Sequence, residues 1–132
     1  MHPSRTEYKI VRPGGAFNKL YALAKRLGEP LATGTLNWPT VAAERDGKVI
    51  GFLSTLPVDG AVVAGPLILE KPSAITAMRL AEAYEVVLRL GGVKTYLHTV
   101  EKARTGYIEM LERAGFRKYN ENDTLVAMRR DL

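Results

Sequence analysis

Few side chains in this sequence can move a proton near neutral pH, and they fall close together. His98 is one of 2 histidines, the other being His2. An imidazole titrating near neutrality can take a proton from a reacting group, although a strand histidine hydrogen-bonded to a neighbour fits the same position. Glu101, just downstream, is a second base candidate, or else an acid at a helix N-terminus. Further upstream, LILEKPSAITAMRL at 67–80 runs from an apolar strand through a proline into a helical pattern. Such a junction presents backbone N–H groups to an anion. Ala74, Ile75 and Thr76 would supply amides there, and Ser73 and Thr76 hydroxyls. The alternative is an ordinary helix capped by Ser73 or Lys71, with Pro72 near its first position.

Other chemistries are excluded by composition. With 0 cysteines, the chain has no disulfide, no thiolate nucleophile and no cysteine-ligated metal. No spacing suits a metal, and no Ser/His/Asp arrangement is readable. The net charge is +5, but the basic residues come in scattered pairs (Lys25-Arg26, Arg117-Lys118, Arg129-Arg130) without an arginine-rich run. That pattern describes a solvated basic surface rather than a nucleic-acid site. The 132 residues suit one domain spanning 1–132. The start, MHPSRTEYKI, lacks the apolar stretch of a secretory signal. The longest apolar run, 61–69, is broken by Gly65-Pro66 and is too short to span a bilayer. A cytoplasmic protein without membrane contact is expected.

The elements that must position these residues follow from periodicity. EYKIVR (7–12) reads as a first strand, stopped by Pro13-Gly14-Gly15. Phe17, Leu20, Tyr21, Ala24 and Leu27 share one helical face, closed by Gly28 and Pro30. Residues 31–38 read as a loop, with Trp38 packed. TVAAE, VIGFLSTL and AVVAGPLIL follow, linked by Asp46-Gly47 and Asp59-Gly60, which predicts a three-strand meander with two tight turns. Gly65-Pro66 inside the third of these strands predicts a bulge that bends or splays it. A helix over 73–90 should show solvent Thr76, Arg79, Glu82, Glu85 and Arg89, and bury Ile75, Met78, Ala81, Tyr84, Val87 and Leu88. VKTYLHTV is a strand, 102–114 a helix with Ala103, Tyr107, Met110, Leu111 and Ala114 on one face, and FRKY and TLVAMRR close the chain as strands. The order β, α, three strands, α, β, α, β, β argues for a mixed sheet with helices on both sides.

ARTGYIEMLERAGFRKY (103–119) carries a family resemblance. A helix ending in Glu112-Arg113-Ala114-Gly115-Phe116 resembles the fourth helix of the GNAT superfamily of N-acetyltransferases, whose members often close it with Lys/Arg-x-Gly-Phe. The upstream element order is similar over nearly the whole chain. The resemblance implies an α+β (mixed α/β) fold: a central, mostly antiparallel, twisted sheet, splayed at a bulged strand and flanked by helices. It implies acetyl transfer from acetyl-CoA, without a metal, to a small-molecule or peptide amine that the sequence leaves unidentified. The cofactor would lie along Leu67, Ile68 and Leu69, with its pyrophosphate at Ser73, Ala74, Ile75, Thr76 and Ala77. His98 or Glu101 would be the base, and Tyr107 the acid that protonates the departing thiolate.

The chain departs from the family pattern twice. Where members read roughly Arg/Gln-x-x-Gly-x-Gly/Ala, Pro72, Ile75 and Ala77 stand, and only Ala77 conforms. Where many members place the acid tyrosine, Leu111 stands, with Tyr107 one turn earlier, about 6 Å along the axis. These departures support a second expectation: a catalytically degenerate GNAT-fold protein acting as a structural or binding component, for instance of a phage particle, with protein assembly partners and a place in the virion.

Overall fold

A computed structural model describes residues 5–132. The expected elements are present: β1 (Thr6–Ile10), α1 (Phe17–Arg26), β2 (Asn37–Arg45), β3 (Lys48–Thr55), β4 (Val63–Leu69), α2 (Ala74–Leu90), β5 (Thr95–Glu101), α3 (Thr105–Arg113), β6 (Phe116–Glu121) and β7 (Leu125–Asp131). They build one 7-stranded sheet in the order β1-β2-β3-β4-β5-β7-β6. Neighbours run antiparallel except β4 and β5, which are parallel because α2 crosses between them.

Alternation along the central strands feeds two cores. Val41, Ala43 and Leu53 pack with Leu80, Tyr84 and Leu88 of α2 and with Ile108 and Leu111 of α3. Ala42, Phe52 and Ile68 point the other way, onto Phe17, Leu20 and Leu23 of α1. Helices therefore cover both faces, but α1 covers its face only over β2, β3 and β4. Among the described residues, no helix is long and apolar enough to cross a membrane.

Three local expectations change. The β2–β3 link is the tight turn, with φ of 53° at Asp46 and 75° at Gly47, both in the left-handed region a two-residue hairpin needs. The β3–β4 link is longer: residues 56–62 form a loop, with Asp59-Gly60 at its tip. β2 starts earlier than expected, because Asn37 is tied into the sheet. Its backbone N–H donates to the Ser54 hydroxyl at 3.1 Å and its amide nitrogen donates to the carbonyl of Thr55 at 3.2 Å. Trp38, read as packed, is 41% exposed beneath the Arg12 guanidinium.

On α2 the buried stripe begins at Leu80 and continues through Tyr84, Val87 and Leu88. Ile75 and Met78, read as core, lie ahead of that stripe and are exposed. Glu85, read as a solvent residue, is buried: it accepts a hydrogen bond from the Tyr96 hydroxyl at 2.6 Å and pairs with Arg130 at 3.1 Å. Charge satisfied inside the protein can be buried, so polarity alone misjudges this position. Nearby, Tyr84 donates to Thr55 Oγ1 at 2.7 Å, which donates in turn to the carbonyl of Pro39. Burial pushes the Tyr84 phenol up to about 12.

α3 starts at Thr105 rather than 102, and Ile108, not Ala103 or Ala114, joins Leu111 in the core. Gly115, which stops α3, has φ 100°, and a methyl group there would run into the Arg130 guanidinium. Gly115→Ala should therefore cost about 2 kcal/mol, combining left-handed strain with displacement of Arg130 from Glu85. Chemical denaturation checks this, and an unchanged midpoint would show the contact to be slack.

Candidate functional site

The site is built on the bulge in β4. Before it, the Leu56 N–H donates to the Val63 carbonyl, so Val63 faces β3; Val62 accepts from the Leu97 N–H and so faces β5. After it, the Glu70 N–H donates to the Ile50 carbonyl, and Ile68 lies opposite Phe52. Along an antiparallel edge, alternate residues face the same neighbour. Ile68 and Glu70 thus face β3, while Leu67 and Leu69 turn their N–H and C=O groups away from it, toward β5. Parity has switched across Gly65-Pro66. Three residue steps along β4 (Ala64 to Leu67) span two along β3 (Leu53 to Thr55), and Gly65 accommodates the extra residue at φ 146°.

β5 does not follow this switch. Its pairing with β4 is limited to Val63↔Leu97 and Ala64↔His98. Beyond that point β5 continues straight along β7 in unbroken register through Glu101↔Leu125. A gap therefore opens between β4 and β5, with the outward backbone groups of Leu67 and Leu69 along one wall. The expected splay is present. Ile68, named with them from sequence, has its backbone toward β3 and its side chain in the α1 core.

His98 and Tyr107 meet at the closed end of the gap. His98 Nδ1 lies 3.2 Å from the Ala64 carbonyl, and Nε2 lies 2.9 Å from the Tyr107 hydroxyl. A carbonyl only accepts, so Nδ1 carries the proton of the neutral ring and Nε2 accepts from Tyr107. Burial, with the Arg104 charge adding to it, holds the His98 pKa below its ordinary value against the raising effect of the Ala64 bond. Burial raises the Tyr107 phenol, and Arg104, whose guanidinium carbon sits 4.7 Å from the ring centroid, opposes that rise. Arg104 biases both members of the pair toward releasing protons.

Glu101 is not part of this pair. β5 alternates without a break, so Leu97, Thr99 and Glu101 occupy the face opposite Tyr96, His98 and Val100, and Glu101 is exposed. At the start of α2, the Ser73 hydroxyl accepts from the Thr76 N–H at 3.1 Å. The Ser73 carbonyl already takes the Ala77 N–H. The N–H groups of Ala74 and Ile75 are left without a partner in the helix, and Ile75 extends 69% exposed beside them. Two amides at the end of a 17-residue helix, flanked by Lys71, fit a phosphate group. They would hold it without the close backbone approach that glycine allows.

No protein-family model matches the sequence, and no curated protein matches it. Solved structures do. PH1933 from Pyrococcus horikoshii superposes with a TM-score of 0.75 at 14% identity, over 97% of this chain and 99% of the other. The ribosomal-protein-S18-alanine N-acetyltransferase of Escherichia coli gives 0.73 at 14%, over 96% and 94%. The PaiA N-acetyltransferase of Thermoplasma acidophilum, solved with coenzyme A, gives 0.62 at 16%, over 70% of this chain and 60% of that one. This is the GNAT fold.

Within the GNAT fold, the departure at Leu111 acquires a physical meaning. Leu111 is 7% exposed and belongs to the core shared by α2 and α3. Tyr107, one turn earlier, reaches the gap through His98. Arg104 was missed in the sequence, although its i, i+3 spacing to Tyr107 puts both on one helical face. The Ala64 carbonyl could not have been found there, since it reaches His98 only through the β4–β5 pairing.

A depressed His98 pKa has a consequence for stability. The unfolded chain takes up the imidazole proton near pH 6.5, while the folded chain resists it, so His98 favours folding above that pH and loses its contribution as pH falls below it. Unfolding midpoints should decline from about pH 6.5 downward, and His98→Gln should flatten that part of the profile. A profile unchanged by the substitution would assign the acid response to other groups.

Proposed function

We propose that this protein is an N-acetyltransferase that moves an acetyl group from acetyl-CoA to an amine, through a single GNAT-like domain. The observation that carries this is the hydrogen-bonded His98–Tyr107 pair at the closed end of the β4–β5 gap. Leu67 and Leu69 would pair with an extended amide chain as a strand would. The start of α2, through Ala74, Ile75 and Ser73, would face the pyrophosphate. Acetyl-CoA supplies the activated thioester.

Transfer forms a C–N bond, breaks a C–S bond and moves one proton from nitrogen to sulfur. One relay serves both ends. Tyr107 Oη accepts the proton of the attacking nitrogen as its own passes to His98 Nε2, and the return delivers a proton to the leaving sulfur. Tyr107 is thus acid and base in turn, and His98 holds the proton between. Glu101, exposed on the opposite face, would act only through water.

Calorimetric titration with acetyl-CoA tests this reading. One site of micromolar affinity is expected, and no heat at millimolar cofactor would end it. A second reading, a GNAT scaffold that serves as a structural or binding component, is favoured by Ile75, a branched and 69% exposed residue at the α2 start where glycine would allow the closest backbone approach to a phosphate. Under that reading Ile75→Gly leaves the titration flat. Under the first, the substitution tightens cofactor binding severalfold.

A further inference from the structure

A cavity of about 480 Å³ opens on the sheet face that α1 leaves bare, bounded by Ala61, Val62, Thr95, Leu97, Tyr119 and Arg129. It is of a size for a small ligand, and its position is informative. Val62 and Leu97 share a hydrogen bond at 2.9 Å, and the next pair along, Ala64↔His98, is where the strands part. A molecule in the cavity thus lies within about one or two residue steps, at roughly 3.3 Å each, of the closed end of the gap. It approaches from the opposite side of the sheet to His98 and Tyr107.

The chemistry of the far wall is specific. Arg129 sits directly across from Leu97, on the same face. Its Nε donates to Asp131 at 3.0 Å, and its guanidinium lies 5.9 Å from the Tyr119 ring centroid. These contacts fix the plane of the guanidinium. Its terminal N–H groups have no hydrogen-bond partner among the described residues, and neither does the Tyr119 hydroxyl. Asp131 also pairs with Arg117 at 2.9 Å, so two guanidinium groups share one carboxylate and the cluster keeps a net single positive charge. A carboxylate matches both that charge and the open fork. A phosphate dianion would be left half compensated.

We infer that this cavity takes the acceptor, and that the acceptor is an amine bearing a carboxylate, held by Arg129 with its apolar part against Leu97 and Tyr119. The amine's acetylation rests on the function proposed above; the binding does not. The test uses L-phenylalanine and phenethylamine, one amine with and without its carboxylate, titrated into the intact protein and followed by amide NMR. L-Phenylalanine should shift the amides of Ala61, Val62, Leu97 and Arg129 and bind at least tenfold more tightly than phenethylamine. Arg129→Gln should abolish that difference while the thermal midpoint and the acetyl-CoA titration stay unchanged. Equal affinities, a preference that persists in Arg129→Gln, or shifts elsewhere would overturn the inference. Carboxylate-dependent binding together with a flat acetyl-CoA titration would uphold the cavity and remove the transfer reading, so the two failures are distinct.

Discussion

Tyr107→Phe is expected to lower the rate of acetyl transfer by about 100-fold, within the usual contribution of a positioned acid or base. The ring stays, so stacking with Arg104 and packing of α3 persist; only the hydroxyl 2.9 Å from His98 Nε2 is lost. Acetyl-CoA affinity should hold within about twofold, because the lost group acts on the moving proton rather than on the bound cofactor. Thiol release, with any acceptor that the wild-type chain turns over, measures the first quantity, and calorimetry the second. His98→Gln should cost a similar factor, and the double variant should be no slower than the worse single one, since the two residues pass the same proton. Additive losses would mean that they act separately. A Tyr107→Phe variant within threefold of wild type would take the pair off the reaction path altogether.

The largest effect on stability is expected at Glu85. Its side chain is 10% exposed and Arg130 26%, and the Tyr96 hydroxyl donates to the same carboxylate. Glu85→Ala leaves a guanidinium and a phenol without their acceptor and opens a hole between α2 and the sheet. Breaking such a pair typically costs 3–5 kcal/mol, and the partial exposure of Arg130 places this one near the lower end, about 3 kcal/mol. For a chain of this size that is roughly a 10 °C fall in the unfolding midpoint. Glu85→Gln keeps an acceptor for Tyr96 and should recover part of the loss. Replacing both charges and the phenol together, as Glu85→Leu with Arg130→Met and Tyr96→Phe, should return to within about 1 kcal/mol of wild type, because the desolvation cost goes with the pair and no buried hydroxyl is left without an acceptor. A triple variant as unstable as Glu85→Ala would show that packing, rather than charge, is what the cluster supplies.

Tyr96 shows why the cluster tolerates burial. Burial first, and then the Glu85 carboxylate, push its phenol well above the usual range, so it remains a hydrogen-bond donor at any ordinary pH. Its ring meets Tyr84 and Phe116 edge-on, at 5.6 and 5.5 Å between centroids. Phe116 of the Gly-Phe signature thus anchors the same aromatic group whose polar end Glu85 and Arg130 satisfy.

Much of this architecture was legible before any coordinates. Apolar period, Gly/Pro punctuation and the Asp46-Gly47 turn are local signals, and local signals determined the element order, the bulge in β4 and hence the splay, because each depends on a few neighbouring residues. The resemblance carried by Gly115-Phe116 led to the same fold. Pairing across the sheet was not legible. That Leu67 and Leu69 face the gap while Ile68 does not follows from a change of parity counted against β3. That Glu101 stands on the far face from His98 follows from strand alternation, which the unbroken pairing with β7 shows to hold through the whole of β5. His98 and Tyr107 could each be named from the sequence, but their hydrogen bond, and the proton on Nδ1 that orients it, exist only because Ala64 lies beside His98. The cavity beside Leu97 is further still from sequence reading: Val62 precedes β4, while Tyr119 and Arg129 come from the β6–β7 hairpin more than fifty residues on. Sequence determines what each segment can form, through local backbone and side-chain preference; which groups share a site is decided by strand register, set only when the whole sheet closes.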